Sequence, residues 1–136
     1  MQKTVTAVAI AAAAAALTGC SSAKHAATPT CRHAHAPDYP TVDASLGDRD
    51  AGRSWCVTVG QTLTVTLHVP VAQSASPWAP ITASGPAVLE PVSNGVASLP
   101  RGVTATFFAV RKPGVATITS TRSDGATWKT TVVSSP

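Results

Sequence analysis

The feature that most constrains the fold is an alternation in the middle of the chain. Leu63, Val65, Leu67 and Val69 interleave with Thr64, Thr66 and His68. Successive side chains of a strand point to opposite faces, so this run puts the aliphatic residues on a buried face and the polar ones on the other. Pro70 ends it, because proline has no N–H for a ladder. Further strand patterns occupy residues 55–59, 78–83, 87–92, 102–110, 115–121 and 127–133. Turn residues separate them, among them Ser93-Asn94-Gly95 and Ser123-Asp124-Gly125. Arg111-Lys112-Pro113-Gly114 reads as a tight hairpin between the strands on either side. No segment after Leu17 carries a helical period. About seven short strands at this spacing predict an all-β protein, an antiparallel β-sandwich. A parallel sheet is not expected, since no stretch can serve as a crossover helix.

The N-terminus reads as an address. Lys3 gives a positive start, and an apolar core of Val, Ile, Leu and Ala runs to Leu17. That core is shorter than the roughly 20 residues needed to span a bilayer, so it predicts a secretory signal and not a membrane helix. It ends in Leu17-Thr18-Gly19-Cys20, which resembles the lipobox of bacterial lipoproteins. The resemblance implies cleavage before Cys20, lipid on its thiol, and a location on the extracytoplasmic face of the cell membrane. Several acyl chains such as palmitate hold far better than one, which binds only marginally. The expected organisation is a signal peptide over 1–19, a lipidated Cys20 with a flexible tether over 20–30, an irregular loop segment over 31–53, and the sandwich over 54–136. The tether, small and polar with Pro29, cannot bury enough apolar area to order itself.

Composition narrows the partners. The formal net charge is +4 with only 12% charged residues, and the sole adjacent basic pair is Arg111-Lys112. Nucleic-acid binding needs Lys and Arg clustered on one face and is not expected. Weak, salt-sensitive attraction to anionic lipid or wall polymer fits the balance better. Aromatics are 4% of the chain, so the core must be built mainly from Val, Leu, Ile and Ala. With Cys20 spent on lipid, Cys31 and Cys56 remain, and two thiols in an oxidising compartment pair. The loop they close, about 24 residues, contributes roughly 3 kcal/mol.

Several stretches carry a family likeness. They are the run Val-Thr-Val-Gly-Gln-Thr-Leu-Thr-Val-Thr-Leu from Val57, then Ser76-Pro77-Trp78, then Thr-Ala-Thr-Phe-Phe-Ala-Val-Arg-Lys-Pro-Gly-Val-Ala-Thr-Ile-Thr-Ser from Thr104. They resemble bacterial immunoglobulin-like domains, with Phe108, Val110, Gly114, Ala116 and Ile118 filling the pattern of a late hairpin. The order of elements is also similar to that of the chagasin-like inhibitors of papain-type cysteine proteases. The resemblance covers residues 57–133 and implies the sandwich fold. It also implies, as an alternative function, inhibition of a protease by three loops at one end. Where the inhibitor family carries Asn-Pro-Thr-Thr-Gly, this chain reads Gln73-Ser74-Ala75-Ser76-Pro77-Trp78, and the family's Arg-Pro-Trp loop has no counterpart. The whole, rich in Ala, Arg and Pro with little Lys, resembles small actinobacterial lipoproteins.

No catalytic constellation stands out. There is no Gly-x-Ser-x-Gly, no His-Glu-x-x-His and no phosphate-cradling glycine loop, and the only Glu is Glu90. His33 and His35, with Asp38 nearby, are weak metal candidates, because an extended backbone puts i and i+2 on one face and imidazole suits Zn²⁺ and Cu²⁺. Asp48-x-Asp50-x-Gly52 is half a calcium loop without its closing Glu. Of Trp55, Trp78 and Trp128, at least one belongs in the core beside Phe107 or Phe108. Trp78, between Pro77 and Pro80, is the best exposed anchor. The expected surface for an envelope protein or polymer is therefore Trp78 with Arg111 and Lys112, on a non-catalytic binding module that needs no cofactor. The anchor is checked directly. Mass spectrometry of the native protein should find acyl mass on Cys20, and Cys20→Ser should appear in the medium; a variant retained at the membrane would defeat the lipid anchor.

Overall fold

The computed structural model describes residues 30–37, 40–73, 75–85, 87–93 and 99–136. The signal segment, Cys20, nearly all of the tether, Asp38, Ser74 and the Asn94-Gly95 turn lie outside the described residues. Nine strands are found among those described: Arg32–His33 (β1), Ala44–Leu46 (β2), Ser54–Thr58 (β3), Thr62–His68 (β4), Thr82–Ser84 (β5), Leu89–Val92 (β6), Val103–Val110 (β7), Gly114–Thr121 (β8) and Thr127–Ser135 (β9). They make two sheets, ordered β1-β3-β9-β8-β5 and β2-β4-β7-β6. The core lies between them. Leu63, Leu67, Leu89, Phe108, Ile118 and Val132 are fully buried there, with Trp55 and Trp128 beside them. Each such side chain contributes about 1.5–3 kcal/mol of transfer free energy. Leu63 lies opposite Phe108 across β4 and β7, so the strongest alternation in the sequence meets a fully buried aromatic ring.

Four expectations need correction. The strands number nine, because residues 31–53 are not wholly irregular: β1 and β2 are edge strands of the two sheets. Strands of two and three residues are too short to show a period. The sandwich is mixed, with β1 parallel to β3, β2 parallel to β4 and β3 parallel to β9. No crossover helix is required, because parallel neighbours are connected through the opposite sheet. The chain passes from β2 to β4 by way of β3, which belongs to the other layer. Finally, Arg111-Lys112-Pro113-Gly114 is not a hairpin. β7 and β8 lie in different sheets, and the link carries the chain from one layer to the other. Gly114 is needed there, since its φ is +146° and a Cβ would stand 3.0 Å from a Val88 methyl. The β8–β9 connection is a true hairpin, closing at Thr121 opposite Thr127.

Residues 31–53 close one side of the sandwich. Cys31 and Cys56 form the predicted disulfide, Cα–Cα 5.2 Å, tying β1 to β3. The chain crosses to the second sheet at His35, which bridges Ser45 of β2, and returns through the 3-10 turn Asp48–Asp50 into β3. Asp50 holds this return. Its carboxylate is buried, accepts the Gly47 N–H at 2.7 Å and pairs with His35 Nε2 at 3.0 Å. Its carbonyl accepts the Trp55 indole N–H at 3.2 Å and the Thr130 hydroxyl at 2.9 Å. The Gly47 carbonyl accepts the Trp128 indole N–H, also at 3.2 Å. A buried acid removed from its donors leaves them unsatisfied, at about 1–3 kcal/mol each. Asp50→Ala should therefore lower the unfolding free energy by about 2–3 kcal/mol, read as a shifted urea midpoint at constant slope. A loss below about 0.5 kcal/mol would show that the disulfide alone holds the segment.

Candidate functional site

Three connections gather at one end of the sandwich, because β4, β6 and β8 all run toward it and β5, β7 and β9 run away. Their described residues are 69–73 and 75–81 in the first, 93 and 99–102 in the second, and 122–126 in the third. Gly102, at φ +82°, comes close enough to the end of β4 that a Cβ would stand 3.0 Å from the Val69 carbonyl oxygen. Its own carbonyl accepts the Val69 N–H at 2.9 Å.

The first and third connections are joined by Arg122. Its side chain is only 9% exposed, and its guanidinium lies 5.5 Å from the centroid of the Trp78 ring. Nη2 donates to Gln73 Oε1 at 2.9 Å and to the Asp124 carboxylate. Ser123 donates to the Ser76 hydroxyl at 3.1 Å. Asp124 also accepts the Ala126 N–H at 3.1 Å and so closes its own turn. Trp78 forms an isolated bridge with Arg122, its carbonyl accepts the Thr104 hydroxyl, and its indole N–H donates to the His68 carbonyl at 3.1 Å.

Trp78 takes the core-or-rim packing that is the alternative to an exposed anchor. It is half-buried, packs against the core and spends its polar atom internally. The exposed apolar residue at this end is instead Val71, on the 3-10 turn Val71–Gln73, at 87% exposed. Arg111 and Lys112 do not join Trp78 in one surface. They sit at the far ends of β7 and β8, and Arg111 is paired with Glu90. Sequence reading missed Arg122, whose partner Gln73 is 49 residues away. The only local signal was its place just before Ser123-Asp124-Gly125.

A cleft of about 380 Å³ opens beside β2 and is lined by His35, Asp48, Arg49, Asp50 and His68 among others. His35 pairs with Asp50 and its ring tilts against Trp55 at 5.1 Å between centroids, while His68 Nδ1 pairs with Asp48 at 2.8 Å. His33 lines a different, smaller cleft with Asp43 and Gln61. The chain changes sheets between His33 and His35, so the two are not presented together. Asp48 and Asp50, the half calcium loop, turn their carboxylates to His68 and His35. Among the described residues no group of three or more His, Cys, Asp or Glu could hold a metal ion.

No family model matches this chain, and no curated protein matches it. Solved structures do. The cysteine protease inhibitor EhICP2 from Entamoeba histolytica is 12% identical, covers 67% of this chain and 93% of its own, and superposes with a TM-score of 0.52. The solution structure of amebosin is 13% identical over 67% of this chain and 96% of its own, at a TM-score of 0.44. PbICP-C, solved in complex with falcipain-2, is 10% identical over 73% and 94%, at 0.36. At such identity the likeness to the Entamoeba protein bears on fold alone, and the fold is a chagasin-like β-sandwich.

The Arg122 brace has a measurable consequence. Hydrogen bonds to charged groups contribute about 1.5–3 kcal/mol, so Arg122→Ala should speed amide exchange at Gln73 and Gly125 by about tenfold or more, both amides being turn donors at 2.8 and 3.0 Å. Unchanged exchange at either would mean that the two connections are held independently.

Proposed function

We propose that this chain is a non-catalytic binding module of the cell envelope, anchored to the membrane by lipid on Cys20, that engages a protein partner through the end of the sandwich bearing Val71. The observation that carries the reading is the pairing of an exposed aliphatic residue with a held loop. Val71 is 87% exposed, yet its neighbour Gln73 is tied to a nearly buried Arg122. Exposed apolar groups on mobile loops lose affinity to the entropy of ordering, and a loop already braced avoids most of that loss. Loops on a rigid sheet scaffold are also where recognition concentrates.

A second reading gives the partner a class. The solved structure that shares this fold at a TM-score of 0.52 is a cysteine protease inhibitor, which supports inhibition of a cysteine protease as the form the binding takes. The sequence at residues 73–78 differs from that family's inhibitory loop, so any such contact must use this chain's own residues, Val71 foremost.

Both readings are tested in one series. A photo-crosslinking residue at position 71 in the full-length protein should capture a discrete protein in the envelope, and the same residue at Lys112, at the opposite end, should not. Equal capture at both positions, or none at 71, overturns the binding reading. Titration of papain with the full-length protein should give inhibition that Val71→Asp weakens at least tenfold if the protease reading holds. Capture at 71 without any inhibition would leave a binding module for another class of protein.

A further inference from the structure

We infer that Asp48 is a positioning residue for the loop end, acting on it through His68 and Trp78. Its role at a binding surface rests on the reading above; the relay itself rests only on geometry.

β2 ends at Leu46, opposite Val65, so β4 runs on past the end of its edge neighbour. The backbone N–H of His68 then has no strand beside it. Asp48 takes that place. One carboxylate oxygen accepts the His68 backbone N–H at 2.8 Å, and the other pairs with His68 Nδ1, also at 2.8 Å. A single side chain thus fixes both the backbone and the ring of the last residue of β4. The His68 carbonyl in turn receives the Trp78 indole N–H at 3.1 Å. Trp78 lies under the Arg122 guanidinium, and Arg122 holds Gln73 and Asp124. The series Asp48, His68, Trp78, Arg122, Gln73 therefore runs without a break from the disulfide-closed N-terminal segment to the turn that displays Val71.

Exposure separates this role from simple stabilisation. The Asp48 and His68 side chains are 43% and 58% exposed. Ion pairs that open contribute on the order of 0–1 kcal/mol, so Asp48 adds little to global stability. Its effect lies in where His68 presents its carbonyl, which decides where Trp78 and Arg122 sit.

The three tryptophans make the test local. Each indole N–H donates to a different carbonyl: Trp55 to Asp50, Trp128 to Gly47 and Trp78 to His68. In ¹H–¹⁵N spectra of the full-length protein in detergent, Asp48→Ala should shift the Trp78 indole signal and speed its solvent exchange about tenfold. The Trp55 and Trp128 signals should stay in place. Asp48→Asn keeps an oxygen for the His68 N–H and should restore most of the Trp78 signal. If all three indoles move together, Asp48 merely holds its own 3-10 turn and the inference fails. It fails equally if none moves. The binding reading has its own arm. Against the protein captured at position 71, Asp48→Ala should weaken affinity about tenfold and Asp48→Asn by less. A selective Trp78 response supports the relay whether or not any protein is captured, and failure to capture one counts against the binding reading alone.

Discussion

A carboxylate cannot be buried unpaired, and the burial of Asp50 organises one whole side of this protein. Taken out of water, it has to find hydrogen-bond partners, and the two it finds fix two different stretches of chain. Gly47 N–H closes the 3-10 turn beneath it, and His35 brings the strand crossing from the other sheet against Trp55. Once the turn is closed, its carbonyls face inward, where the indole N–H groups of Trp55 and Trp128 need acceptors. Those two rings are 2% exposed and fill the core at its open edge. A polar interaction thus sets where the largest apolar side chains lie. Replacing Asp50 by an apolar residue of similar size would remove the buried charge but also the closure that turns those carbonyls inward.

The disulfide and Asp50 act on different states of the chain. Cys31–Cys56 restricts the unfolded ensemble by closing a loop. It joins β1 to β3 but says nothing about the path between them. Asp50 selects that path. β1 has two residues and both are exposed, so its own pairing contributes little; it stays in place because the bond at one end and His35 at the other leave no alternative. The same closure explains the mixed sheets. A segment that must visit both layers before β3 will lie parallel to whichever strands its ends meet, and the sandwich itself supplies the crossover that a helix supplies in an open parallel sheet.

The legible parts of the sequence were those where one face is buried and the other wet. β4 and β7–β9 are long enough for alternation to show, whereas the strand expected over 78–83 forms only at Thr82–Ser84. Ser123-Asp124-Gly125 turns the chain as expected between β8 and β9, but partners further off were not legible. Pro113-Gly114 fixes local backbone angles, and those angles serve a link between layers as well as a hairpin. The pairs formed by His33 with His35 and by Asp48 with Asp50 looked like ligand sets because spacing says nothing about what each side chain meets. Asp50 meets His35 and Asp48 meets His68, across 15 and 20 residues. Trp78 was read as a contact for the same reason. A tryptophan between prolines at a strand entry is consistent with an exposed anchor, and only the position of the His68 carbonyl and of Arg122 shows otherwise.

That last difference bears on how the loop end works. A large aromatic at a binding surface contributes directly by the area it buries. Placed one layer below, as Trp78 is, it acts by removing freedom from what lies above. Its face carries a guanidinium, its N–H is committed to β4, and its backbone is bridged to the β8–β9 turn. Val71, exposed on the 3-10 turn, is β-branched and has few rotamers to lose on contact. Some of the polar groups at this end are already paired internally, since Arg122 Nη2 donates to Gln73 Oε1 and Ser123 to the Ser76 hydroxyl. A partner that fits this end would present an apolar groove able to receive Val71. Its affinity would be governed less by the residues it touches than by how firmly Arg122 holds the turn beneath them.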